Sequence, residues 1–294
     1  MKATTEMVLT DNLKALNLSH MLRQLGPQLR QAREQSLDYG DVLLSLTEIE
    51  LEGRAENRLK RRLREAKFPL LKTLETFDYH AAPGLDRRLL HQLASGEYIS
   101  RQRNVIFLGK SGTGKTHLAT GLGVEACRQG ITTRFVTGCG LANELLEARQ
   151  GHTLSRLIQR YARFGLLVLD ELGYVPFSKE GAELLFQVLA ERHERRSVII
   201  TSNLGFADWT QVFGEPTLTA ALLDRLTHKA HIVTCDWESY RLKESLQRKG
   251  INSGKAAKPL RQSTKATACG GSAPTPPEFS ALETTGEAGK EKAG

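Results

Sequence analysis

Eight residues, Gly109-Lys110-Ser111-Gly112-Thr113-Gly114-Lys115-Thr116, constrain what this chain can fold into more than any other stretch. They satisfy the pattern GxxxxGK[ST]. The run Val105-Ile106-Phe107-Leu108 just before them reads as a buried strand, and His117 to Arg128 just after them as a helix. In that setting the glycines let successive backbone N–H groups curl around phosphate oxygens, and the helix N-terminus adds partial positive charge. Lys115 has the reach for the β- and γ-phosphates, and the Thr116 hydroxyl suits Mg²⁺. The residues expected against ATP are therefore Gly109, Gly112, Thr113, Gly114, Lys115, Thr116 and His117.

The surrounding sequence supplies the rest of such a pocket. Short apolar runs at Thr133–Val136, Leu166–Leu169, Val198–Thr201 and Ala230–Val233 alternate with segments long enough for crossover helices. This predicts an α/β domain with a parallel five-stranded sheet covered by helices on both faces. The third run ends in Asp170-Glu171. A carboxylate at a strand's C-terminal edge suits the hydration shell of Mg²⁺, and the next one can orient and polarise water against the γ-phosphate. The fourth run ends in Ser202-Asn203, so Asn203 would contact the γ-phosphate or the attacking water if its strand lies between the other two. Taken alone, a polar residue leaving a strand is a turn former. Arg225 and Arg241 occupy helical runs, where spacing alone makes them surface residues.

Residues 1–75 have a different texture. Leu18, Met21, Leu22, Leu25 and Leu29 fall on one helical face, and Gly26-Pro27 predicts a kink or break within it. A second long helix is expected from Asp38 towards Lys67, with Leu43, Leu44, Leu46, Ile49 and Leu51 as its apolar residues and Pro69 beyond its end. No strand-like alternation intervenes, so this is a small helical domain, followed by the nucleotide-binding domain over 76–249. Residues 250–294 are mostly Gly, Ala, Pro, Ser and Thr with Phe279 as their one aromatic, and read as a disordered tail.

No run approaches the roughly 20 apolar residues of a membrane span, and the first residues lack a signal-peptide pattern. Cys127, Cys139, Cys235 and Cys269 have no metal-ligand spacing and read as reduced thiols in a cytoplasmic protein. A net charge of +8 points to an anionic partner without identifying it. The charge concentrates in residues 54–72, which carry eight basic and two acidic side chains. Arg54, Arg58, Arg61 and Arg62 recur there at helical spacing, which suits either phosphates or an ordinary solvated face.

Taken together these residues resemble AAA+ ATPases, and within them the branch of the DnaC helicase loader and the IstB-like transposition helpers. The similarity rests on SGTGKTHLATGLGVEA, LLVLDELGYVPFSKEGAELLFQVLAER, SVIITSNLGFADW and LTAALLDRLTHKAHIV, and on the stretch from Asp38 to Pro69 with the KTLETFDY that follows. It spans about residues 8–248. The resemblance implies an ATPase that binds double-stranded DNA, self-assembles into a homo-oligomer and assists a transposase, or else a replicative helicase loader. It also implies roles: Asn203 as the sensor of the γ-phosphate, Arg225 as a finger reaching a neighbouring subunit's ATP, and Arg241 as a second sensor in its own subunit. It favours phosphates for the basic helix, and makes Arg149 and Arg156, in an inserted helical segment between the second and third strands, further DNA candidates.

Overall fold

The computed structural model describes residues 3–248, so the tail expectation and Cys269 lie outside the described residues. Three helices come first: α1 (Ala3–Ala15), α2 (Ser19–Gln35) and α3 (Tyr39–Ala66). Leu13, Met21, Leu25 and Leu46 are buried where they meet, forming a small core of their own. Asp38 caps α3 by accepting from the Gly40 N–H at 3.0 Å, and Lys67 closes it in a left-handed conformation, φ +57°. Of the kink or break expected at Gly26-Pro27, the break does not occur: α2 runs through Pro27. Packing in the cluster around Leu46 of α3, by Met21 and Leu25 before Pro27 and by Leu29 after it, supports the helix across a residue that lacks its own N–H. The leucines expected to bury α3 also divide otherwise. Leu46 is buried, while Leu43, Leu44 and Leu51 stay exposed, and Glu50 and Gly53 occupy the inner face instead. Further along, α3 leaves this core and packs on residues 115–137, and Phe68, just past its end, meets Phe135 edge-on at 6.1 Å.

After α4 (Arg87–Ala94) and α5 (Glu97–Ser100), five strands alternate with helices: β1 (Val105–Gly109), α6 (Lys115–Arg128), β2 (Thr133–Thr137), α7 (Gly138–Gln150), α8 (Leu154–Arg163), β3 (Leu166–Asp170), α9 (Lys179–Arg192), β4 (Ser197–Ser202), α10 (Thr210–Phe213), α11 (Pro216–Thr227), β5 (His231–Cys235) and α12 (Tyr240–Arg248). All pair in parallel in the order β2-β3-β4-β1-β5. Every residue of β3 and β4 is buried, as fully covered parallel strands require. The last strand begins at His231, one residue later than its apolar run suggested. One core face is built with α7, α8, α9 and α11, the other with α4, α6 and the segment around Phe77. In this order β4 lies between the strands that lead to the phosphate loop and to Asp170.

Candidate nucleotide site

The glycine loop leaves β1 at the C-terminal edge of the sheet and enters α6. Gly109, Gly112 and Gly114 have φ of +148°, +84° and +89°, a backbone path that side chains resist. Space forbids one as well at Gly109, where a Cβ would run into the Cys235 backbone carbonyl. Within the loop the Lys115 ammonium donates to the Gly109 carbonyl at 2.6 Å and the Lys110 carbonyl at 2.7 Å. Burial lowers the Lys115 pKa and Arg241 pushes the same way, while Cys235, Asp170 and Glu171 oppose them.

Two carboxylates close the far side. Asp170 is buried, and its Oδ1 accepts from Thr116 Oγ1 at 3.0 Å and from Thr201 Oγ1 at 2.5 Å. Glu171 is exposed to the pocket with φ +55°, an uncommon conformation for a non-glycine residue. Asn203 follows β4 on the same rim. The condition set for it by the sequence is thereby met, since β4 does lie between β1 and β3.

The loop from Ser111 to Thr116, with Glu171, Thr201 and Asn203, lines a cavity of about 390 Å³, while Asp170, behind Thr116 and Thr201, and Gly109, at the start of the loop, are not part of its lining. Two of its walls had no signal in sequence periodicity. The segment from Lys72 to Ala82 forms one: Phe77 lies against the loop at Gly114 and meets the His117 ring edge-on at 5.2 Å. His117 Nε2 lies 2.9 Å from the Thr73 carbonyl and 3.2 Å from Thr76 Oγ1, so its ring is tied to this wall. Burial lowers the His117 pKa, with Lys72 acting in the same direction. The opposite wall is the entry to α12. Trp237 Nε1 donates to the Thr113 carbonyl at 2.9 Å, the Tyr240 N–H donates to the Gly112 carbonyl at 2.9 Å, and Arg241 lines the cavity. Aromatic residues in aperiodic stretches, Phe77 and Trp237, were the available hint.

These residues fit a magnesium nucleotide. The loop presents a positive-φ cradle at a helix N-terminus with a lysine inside it, and the Thr116–Asp170 pair provides the hard oxygen donors that Mg²⁺ takes. Arg225, by contrast, is not part of the cavity lining. It sits half-buried on α11 with its guanidinium 4.9 Å from the Phe186 ring centroid and Nη1 donating to the Ala221 carbonyl at 2.9 Å.

The basic residues are placed in several settings. Arg54 is exposed but tied to the helical region, its Nε 2.8 Å from Glu50 and its Nη2 donating to the Asn17 carbonyl at 3.0 Å. Arg58 is exposed, Arg61 is exposed with Glu65 at 3.9 Å, and Arg62 is half-buried beside Gly130. Arg149 pairs with Glu180 at 3.0 Å, while Arg156 on α8 is exposed and has no ion pair among the described residues. No described helix is long and apolar enough to cross a membrane, and the cysteines within the described residues, Cys127, Cys139 and Cys235, are free thiols.

Comparison with known proteins bears on the same residues. Residues 11–248 match the family described as IstB-like ATP binding protein. The protein assigned to ATP binding in insertion sequence IS21 of Pseudomonas aeruginosa is 41% identical over 232 residues, covering 79% of this chain and 88% of that one. Its counterpart in IS232 of Bacillus thuringiensis is 35% identical over 236 residues, covering 80% and 94%. Among solved structures, the chain aligns with the DnaC helicase loader at TM-score 0.44 and 21% identity, covering 50% of this chain and 86% of that one. The replication initiator DnaA, bound to AMPPCP and single-stranded DNA, aligns at TM-score 0.46 and 20% identity, covering 62% and 56%.

Proposed function

The chain belongs to the IstB-like ATP-binding proteins of insertion sequences, and from that premise we propose that it is a magnesium-dependent ATPase that self-assembles on double-stranded DNA and assists a partner transposase. One observation carries the catalytic part: Asp170 is joined to the loop threonine by a 3.0 Å hydrogen bond, and the adjacent Glu171 opens into the same cavity.

In this reading the glycine loop and the α6 N-terminus receive the phosphates, and Thr116 with Asp170 holds Mg²⁺. Bound there, Mg²⁺ would supply charge neutralisation at the phosphates. Glu171 accepts a proton from the water that attacks the γ-phosphorus, the bond to the ADP oxygen breaks, and ADP and phosphate leave. Lys115 and Arg241 face the charge that builds up in the cavity, and Asn203 orients the water. Arg225 lies away from its own cavity, which favours action on a neighbour's nucleotide and makes turnover depend on assembly. For DNA, the reading uses Arg58, Arg61 and Arg62 of α3, then Arg149 and Arg156, as backbone contacts with little sequence preference. Arg54 acts through its ion pair with Glu50, as a support of that face.

A turnover assay with DNA present tests the catalytic core. Lys115→Ala is expected to lose tight ATP binding, and Glu171→Gln to keep binding while losing hydrolysis, because an amide cannot take the proton. Hydrolysis by Glu171→Gln at the parent rate would remove Glu171 from its role.

A further inference from the structure

The nucleotide cavity contains a hydroxyl that neither the motif nor the family roles account for, that of Thr201 on β4. It is 1% exposed and belongs to the cavity lining. Its Oγ1 lies 2.5 Å from Asp170 Oδ1 and 2.9 Å from the Glu171 backbone nitrogen. An ionised carboxylate can only accept and an N–H can only donate, so the hydroxyl's single proton goes to Asp170 and its lone pair receives the Glu171 N–H. One residue's backbone completes the clamp: the Leu172 N–H donates to the Thr201 carbonyl at 2.9 Å. Thr201 therefore grips three successive residues, 170 to 172, across the point where the chain leaves β3.

Two consequences follow for the chemistry. Thr116 and Thr201 both bind Oδ1, which leaves Asp170 Oδ2 with no hydrogen-bond donor among the described residues. Bonding to Glu171 N and to Leu172 N from one residue also brackets the left-handed φ of Glu171, a conformation that persists only when its surroundings enforce it.

We propose that Thr201 is a positioning residue of the ATPase, orienting the Asp170 carboxylate towards Mg²⁺ and holding the turn that directs Glu171 into the cavity. The inference deepens the catalytic reading above and rests on it. It assigns β4 two tasks two residues apart, Thr201 for the carboxylates and Asn203 for the water.

The test replaces Thr201 by Val, which keeps the branched shape and removes only the hydroxyl, and by Ser and Ala as a second pair. Two readouts are taken: turnover with DNA, and binding of a fluorescent ATP analogue titrated with MgCl₂ in the absence of turnover. Loss of a hydrogen bond to a charged group predicts for Thr201→Val a fall in kcat of at least about tenfold and a similar rise in the half-saturating Mg²⁺ concentration. KM for ATP at saturating Mg²⁺ should hardly move. Thr201→Ser should stay within about threefold of the parent on both readouts, with Thr201→Ala resembling Thr201→Val. If Thr201→Val fails to fold, the comparison of Ser with Ala decides, and equal values for those two overturn the proposal. An unaffected Thr201→Val beside an impaired Asp170→Asn overturns the role of Thr201 alone. An Asp170→Asn variant with the parent's Mg²⁺ requirement overturns the metal reading, and the role of Thr201 with it.

Discussion

Replacing Glu50 should loosen the helical region while leaving the nucleotide cavity intact. Its carboxylate is 5% exposed, yet it receives three donors: the His20 N–H at 2.8 Å, the Met21 N–H at 3.0 Å and Arg54 Nε at 2.8 Å. The two amides belong to the first turn of α2, whose own N-cap, Leu18, offers no side-chain acceptor. Glu50 thus caps α2 from α3 and places negative charge at a helix N-terminus. Burial by itself would raise its pKa, but the bonds from Met21, Arg54 and His20 outweigh that and hold it below the ordinary carboxylate value. Hydrogen bonds to a charged group contribute about 1.5–3 kcal/mol each when buried. Arg54 is 45% exposed and recovers water on losing its partner, so its share is small. Glu50→Ala should therefore cost about 3 kcal/mol and Glu50→Gln, which keeps one acceptor, about 1–2 kcal/mol.

The sign of the pH dependence follows from the lowered pKa. The contribution of Glu50 is present above its unfolded value, about 4.3, and is lost as pH falls through its lower folded value. Hydrogen exchange read at His20 and Met21 is the direct assay. Protection at both amides should drop in Glu50→Gln at pH 7, and the parent's protection should decline in acid while the variant's stays flat. ATP binding should be unchanged in both variants. Equal protection in parent and Glu50→Gln would refute the capping argument.

Two predictions concern partners. Neutralising Arg58 and Arg61 should weaken binding to all duplex sequences alike and flatten the log–log salt dependence by about 0.9 per lost phosphate contact, and an unchanged slope would shift attention to Arg149 and Arg156. Arg225→Ala should bind ATP nearly normally but hydrolyse it poorly. Mixing it with Lys115→Ala subunits should restore part of the activity, because the Lys115→Ala neighbour supplies the missing arginine to an intact cavity. Co-assembly without any recovery would count against action in trans and make Arg225, over Phe186, a support of α9 and α11.

The residues themselves determined the phosphate loop, the Asp170-Glu171 edge, the five strands and the long helix from Asp38. Each depends on neighbours a few positions away: glycines where the backbone needs positive φ, apolar runs of strand length, a cap before a helix. Tertiary structure decided what those local rules leave open. Pro27 stayed inside α2 because packing on α3 outweighed its helix-breaking tendency. The exposed Leu43, Leu44 and Leu51 could not be told from Leu46 until the helix found its partner and chose the side carrying Glu50 and Gly53. Phe77, Trp237 and Thr201 became part of the cavity lining through contacts with distant residues, 31 positions away for Thr201–Asp170 and 124 for Trp237–Thr113. Such contacts follow no period along the chain. They arise when parallel strands and their crossovers bring distant loops to one edge of a sheet, and only the folded chain specifies which loops meet.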